Sequence, residues 1–467
     1  MNWKKKGKER KSSYEIDMTN GPLLGKIVKF AVPLALSGVL QLLFNAADMV
    51  VAGRFAGSQA LAAVGSTGAL NMLIVNLFIG LSVGVNVLVA RYYGSGQAGE
   101  LNDTVHTAIL TSLISGLLLI FIGIGLSRPL LTLMDTPADV IDESVKYMRI
   151  VFAGMPVSML YNFGGAILRA VGDTRRPLYF LTIAGVVNVC LNVFFVVVLQ
   201  MGVAGVATAT VISQTISAAL VLWCLVKTDA AYRVDLKKLR ISKGKLLQMM
   251  KIGIPAGIQG ATFSVSNVVI QSTVNTFGSL AMAGSTACGN IEGFLWTVVD
   301  AFTQAAQSFT SQNYGAKKPE RVGRVFFICL FMAMALSFVM GGTAYLNGSA
   351  LLSLYTSDSG VIEYGLRRML LSCVPYFTIV LMNIPVGMLR GLGSSLVTMV
   401  MSIIGTCGLR IVWIYTAFAL NPTWEMLFLS YPISWLVTGI FQLIAYFIIK
   451  KKAFARLETA KALESVK

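Results

Sequence analysis

Apolar residues recur in runs of about twenty along the whole chain, parted by short polar stretches. That is the length a helix needs to cross hydrocarbon. The runs predict spans at 26–52, 60–90, 104–126, 141–170, 177–199, 203–226, 246–275, 281–312, 323–346, 362–390, 395–419 and 426–449. Helix is the element expected, because an open strand leaves its backbone unsatisfied in lipid. The alternating ten-residue segments of a membrane barrel do not occur.

The polar connections set the orientation. Lys227, Arg233, Lys237, Lys238, Arg240, Lys243 and Lys245 fill one of them, and Lys317, Lys318 and Arg321 fill another. Arg175 and Arg176 precede the fifth span, and Lys450, Lys451 and Lys452 follow the last. All fall on the side of the basic N-terminal segment, whereas Asp135, Asp139, Asp142 and Glu143 fall on the other. Positive charge collects in cytoplasmic loops, so both termini are expected inside. Arg367 and Arg368, near the outer end of the tenth span, are mild exceptions. The first apolar run is too long for a signal peptide and reads as a retained span.

The pattern repeats. KFAVPLALSGVLQLLFN at 29–45 resembles KIGIPAGIQGATFSVSN at 251–267, RYYGSGQ at 91–97 resembles QNYGAKK at 312–318, and NFGGAILRAVGDT at 162–174 resembles NIPVGMLRGLGSS at 383–395. The three matches are offset by 222, 221 and 221 residues, which predicts two six-helix lobes. An even number of spans per half makes the repeats parallel, related by an axis along the membrane normal. The expected division is a basic segment at 1–25, lobes at 26–226 and 246–450, a linker at 227–245 and a tail at 451–467.

Composition narrows the function. Hydrophobic residues are 55% of the chain and charged residues 13%, about half the charged share of a soluble domain. The net charge of +17 sits between apolar runs, which fits anionic lipid rather than nucleic acid. Cys190, Cys224, Cys288, Cys329, Cys373 and Cys407 lie inside apolar runs with no CxxC pair, and His106 stands alone. A disulfide frame, a metal site and a serine–histidine enzyme therefore have no support. GSGQAG at 94–99 matches a dinucleotide fingerprint but lacks the strand–turn–helix setting, and no Walker A sequence occurs. No cofactor or nucleotide is expected. Two lobes around a central cavity are the architecture of a transporter.

Several polar residues lie at membrane depth. Asp48 is roughly 33 Å along the first span from Lys26. An ionised carboxylate there is costly unless partnered, so such residues are usually functional. An aspartate facing outer water is the other reading. Asn188 and Asn192 lie four apart on the fifth span, hence on one face. They either complete a site with Asp48 or join helices as interhelical amides. Thr210 on the sixth span is a weaker member of the same group. Glu292 and Asp300 on the eighth span are about 80° apart around the helix. Each either meets a substrate or pairs with an arginine such as Arg410. Glu292 is the repeat counterpart of Asn71. Arg169 and Arg390 close the fourth and tenth spans at equivalent positions. They are expected to cap helix ends and to bind lipid phosphate. Met155, Met159 and Met340 offer adaptable apolar surface.

NAADMVVAG with Pro33 upstream, LRAVGDTRRP at 168–177, NVCLN at 188–192, GVAGVATATVISQ at 202–214 and SQNYGAKKPERV at 311–322 together resemble the multidrug and toxic compound extrusion (MATE) transporters over nearly the whole chain. The resemblance implies an all-α fold of two lobes around a V-shaped cavity in a bacterial plasma membrane. It also implies export of amphipathic organic cations in exchange for protons or sodium ions by rocking of the lobes. It points to Asp48 as the ion-binding carboxylate, with Asn188 and Asn192 as an N-x-x-x-N/D pair. Some members have aspartate at the second of these positions. One branch has a glutamate where this chain has Phe263, the repeat partner of Gln41, so that site is expected to be replaced by an aromatic wall. A lipid-linked sugar flippase of related architecture is the alternative; it would call for arginines in the cavity, and few are expected inside the spans.

Overall fold

In the computed structural model, residues 14–465 are described with the exception of residue 135. Asp135 and the basic stretch 1–13 thus lie outside the described residues. Twelve helical rods account for almost all of the described chain. They are α1 (Leu24–Ala56), α2 (Ser58–Ser95), α3 (Ala98–Leu133), α4 (Ile141–Ala153 and Met155–Ala170), α5 (Arg175–Val198) and α6 (Val203–Lys227) in the first half. The second half holds α7 (Lys243–Asn275), α8 (Ser279–Gly315), α9 (Pro319–Leu346), α10 (Ser359–Gly391), α11 (Ser395–Phe418) and α12 (Trp424–Ser465). No strand occurs among the described residues.

Nine rods are each long and apolar enough to cross a membrane alone, and the bent α4 makes a tenth. α4 turns by 49° between its two pieces, at Gly154 and just before Pro156, whose ring nitrogen cannot donate to the preceding turn. α7 and α8 fall short of that test because polar side chains punctuate them: Gln259, Asn267, Glu292, Asp300, Gln304 and Gln307. The last rod stays helical to Ser465, through the stretch expected as a tail.

The repeat is visible in the turns. Gly57 (φ 92°) and Gly278 (φ 91°) open α2 and α8, and Gly172 (φ 99°) and Gly393 (φ 89°) precede α5 and α11. A side chain at such φ is strained, so glycine is selected there.

The rods form two apolar cores, one per lobe, but the first helix of each half crosses between them. The inner end of α1 buries Leu23, Ile27, Phe30 and Ala31 in the core built mainly by α8, α9, α10 and α12. Phe30 meets Phe309 edge-on at 5.6 Å. The outer end of α1 returns to its own half, where Val51 and Ala52 pack on Val196 and Val206. α7 does the converse, with Met249 and Ile252 in the core of the first lobe and Ile270 and Val274 against Trp424 and Phe428. Pro33 and Pro255 interrupt the bonding of these two helices at equivalent points.

The lobes meet at the end that carries the basic clusters. A Cβ on Gly80 would lie 2.3 Å from the Gly257 backbone nitrogen, and one on Gly94 would lie 2.1 Å from the Gln312 carbonyl oxygen. Asn86 Oδ1 accepts from Gln307 Nε2 at 2.8 Å and from Ser308 Oγ at 3.1 Å, and Gln312 donates to the Ala170 carbonyl at 2.7 Å. Lys245 binds Glu100 and donates to Tyr92 at 2.8 Å. A strap at 14–23 spans the same seam. Glu15 accepts from Tyr93 and Tyr232 of the first half. The carbonyls of Met18, Asn20 and Gly21 accept from Arg321 of the second half.

The linker is packed too. His106 Nε2 accepts from the Asp235 N–H at 3.0 Å, while its Nδ1 faces the Asn102 carbonyl at 2.8 Å. Arg240 pairs with Asp103 at 2.6 Å. His106 thus fastens the linker to α3.

Candidate functional site

Three helices of the first lobe converge on Asp48. It lies late in α1 and is half-buried. Asn192 Nδ2, from α5, donates to Asp48 Oδ1 and, at 3.2 Å, to Asn188 Oδ1 one turn earlier. Thr210 Oγ, from α6, lies 3.5 Å from Asp48 Oδ2 and donates at 3.0 Å to the Val206 carbonyl of its own helix. The four-residue spacing of the two asparagines puts both amides on the face of α5 that meets α1. Asn188 and Asn192 are buried, whereas Asp48 opens on a chamber of about 150 Å³. That chamber is walled by Gln41, Asn45, Tyr161, Asn162, Ser213 and Gln214, among others. One acceptor is left over: Asn192 Oδ1 is buried and has no donor among the described residues. A cation or a water would complete that set of oxygens.

A second, larger cavity of about 310 Å³ lies between the lobes and shares Gln41, Tyr161, Asn162 and Leu181 with the first. Its charged lining is Arg169 from the last turn of α4, Arg390 from the last turn of α10, and Asp300 from α8. Arg390 donates to Gln259 Oε1 at 2.9 Å. Asp300 accepts from Gln304 at 2.7 Å.

The structure brings Asp48, Asn188, Asn192 and Thr210 into one cluster and sets Gln41 and Asp300 on the cavities beside it. Glu292, Asn71 and Phe263 are not among the residues that line these two cavities. Glu292 accepts from Arg368 at 2.7 Å, and Arg368 also donates to the Ser285 carbonyl at 2.7 Å and to its hydroxyl. The pair is enclosed within the second lobe, beside Phe428. Arg368 is thus a core residue, not a loop cation. Arg410, the partner expected for an acid, instead stacks on Tyr431 at 4.1 Å and donates to Ser434 at 3.1 Å. Phe263 packs on the second-lobe core. Asn71 keeps a buried, unpaired Oδ1.

Arg169 and Arg390 also depart from expectation. They point inward to the cavity, away from lipid phosphate, and neither donates to a helix-terminal carbonyl. The expectation of few arginines inside the spans fails with them, since helix periodicity alone does not say which way a residue near a helix end points. Tyr161 and Asn162 were not singled out in the sequence. Their position eight and seven residues before Arg169, on the face of α4 that shares a chamber with Gln41 of α1, is the signal that would have found them.

Two repeated helical lobes, an acid–amide cluster inside one and a charged cavity between them define a membrane transporter. The MatE family pattern matches residues 33–194 and again 255–416, and the chain belongs to that family. Its members are transporters, not enzymes, and the chain is a multi-pass protein of the bacterial plasma membrane. It is 28% identical to the "Probable multidrug resistance protein YoeA" of Bacillus subtilis, over 92% of this chain and 94% of that protein. It is 25% identical to a protein of Shewanella oneidensis named "FAD transporter", over 74% and 77% of the two chains. A solved structure titled as the outward-facing conformation of a multidrug resistance MATE family transporter superposes with a TM-score of 0.86 at 21% identity, covering 96% of this chain and 100% of that one. A transporter from Pyrococcus furiosus, titled for the reverse polarity of its binding pocket, superposes at 0.88 with 21% identity, covering 95% and 99%.

Proposed function

We propose that the chain is a secondary antiporter that extrudes amphipathic small molecules of the drug type, driven by a proton or a sodium ion taken up at Asp48. The observation that carries this is a carboxylate at membrane depth with an amide, a hydroxyl and an orphan amide oxygen around it. Neutralising Asp48 removes the cost of holding an ion there, and a coupling ion drives the cycle only if it binds the two conformations unequally. Sodium would use the carboxylate together with the Asn188 and Asn192 oxygens; a proton needs Asp48 alone. With the basic end in the cytoplasm, as loop charge implies, the sealed seam is the inner gate and the lobes stand open outward. Rocking about that seam, across α1 and α7, would expose the cavity to the cytosol. The expected organic cation finds an acid without a neighbouring arginine at Asp48, where it would compete with the coupling ion.

The test is dye efflux from proteoliposomes with proton and sodium gradients imposed separately. Asp48→Asn should abolish gradient-driven efflux while the protein stays monodisperse. Wild-type efflux by that variant contradicts the proposal.

A lipid-linked sugar flippase is favoured by one observation, the two arginines in the interlobe cavity. Export of a soluble dye at a rate coupled to an ion gradient would count against it.

A further inference from the structure

The antiport reading leaves the charge of the interlobe cavity unused. Two guanidiniums face one carboxylate there, a formal surplus of +1 from Arg169, Arg390 and Asp300. The arginines are repeat counterparts and reach the cavity from opposite lobes. Gln259 orients Arg390 and is itself fixed, donating to Ser402 at 2.8 Å. Arg390 Nε is buried and has no acceptor among the described residues. The Arg169 side chain makes no hydrogen bond or ion pair with any described group, and Asp300, bonded to Gln304, is not in ion-pair contact with either arginine. A guanidinium N–H withdrawn from water without an acceptor is costly, and the planar fork of the group matches a carboxylate or phosphate. Leu34, Ile79, Val83, Pro177 and Leu181 give the same cavity an apolar wall.

We propose that this cavity selects amphipathic organic anions, holding the carboxylate or phosphate group between Arg169 and Arg390 with the apolar body against α1 and α2. The inference rests on the transporter reading for its meaning as substrate selection. Asp300 opposes the anion and keeps it releasable. The cation at Asp48 and the anion at the arginine pair then occupy adjoining chambers that share Gln41 and Asn162.

Binding is measured apart from transport. The purified protein is titrated in detergent with carboxyfluorescein, an anion, and with tetramethylrhodamine ethyl ester, a cation on the same ring system, by fluorescence anisotropy. Carboxyfluorescein should bind saturably, and about tenfold or more weaker to Arg169→Gln or Arg390→Gln, each tenfold being about 1.4 kcal/mol. Arg390→Lys should recover part of the loss, and Asp300→Asn should tighten the anion and weaken the cation. The proposal is overturned if carboxyfluorescein shows no saturable binding, if both glutamine variants bind it within about twofold of wild type, or if the rhodamine ester binds better than carboxyfluorescein. Asp300→Asn keeps the test decisive if a glutamine variant misfolds. In proteoliposomes the two readings separate. Binding as described without gradient-driven movement sinks antiport and leaves the site. Ion-driven movement that the arginine variants do not alter sinks the site and leaves antiport. Repeating the titration in phosphatidylcholine nanodiscs with and without phosphatidylglycerol identifies the source of the anion: displacement marks a lipid headgroup, no displacement a soluble solute.

Discussion

Replacing Arg368 with methionine tests whether the second lobe is held by a charge pair in its interior. Arg368 is 8% exposed, and the side chains of Arg368 and Glu292 keep only 10% and 15% of their surface. The change removes two N–H···O bonds of 2.7 Å, to Glu292 and the Ser285 carbonyl, a contact with the Ser285 hydroxyl, and a guanidinium 4.7 Å above the Phe428 ring. It leaves Glu292 as a carboxylate without a counter-charge. Removing one partner of a buried pair costs about 3–5 kcal/mol, on the order of a hundredfold or more in the folding equilibrium. Replacing both residues by methionine leaves no orphan charge, and such apolar replacements are often near neutral. The assay is the half-time of aggregation on heating in detergent, read by size exclusion, because unfolding of such proteins is commonly irreversible. The expected order is wild type and the double variant together, with Arg368→Met and Glu292→Met far below. A single variant as durable as wild type, or a double variant worse than either single, refutes the reasoning.

Two further changes address the seam. Gly80→Leu would drive a side chain into the Gly257 backbone, so it should prevent closure at the basic end and abolish transport; thiol labelling of a cysteine introduced at Gln312 should rise. Arg321→Gln removes the donor to three backbone carbonyls of the strap, and at about 1 kcal/mol net per bond should lower thermal stability measurably and speed proteolysis between residues 14 and 23.

Much of this fold is legible in the sequence, because lipid admits few solutions. Runs of apolar length give the rods, and matching motifs at nearly one offset give the two halves. The cluster at Asp48 is legible for a similar reason, since a carboxylate at depth and amides at helical spacing leave few other arrangements. What is not legible depends on direction and on distant partners. Glu292 and Arg368 are 76 positions apart, and no periodicity couples them. Arg169 and Arg390 sit where helix-end cations usually snorkel to phosphate, and only packing turns them inward. The crossing of α1 and α7 is hidden because their sequences match equally well to either lobe, being copies of one another.

That exchange of first helices has a consequence for how such a chain could have arisen. A single half, cut free, would leave a slot in its core where the other half's opening helix belongs, and would carry an opening helix of its own with nowhere to seat its inner end. Two identical halves could satisfy each other by swapping those arms. An intertwined homodimer, its two genes later fused through a basic tether, is therefore the simplest ancestor, and co-expressed halves should find each other where either alone is degraded.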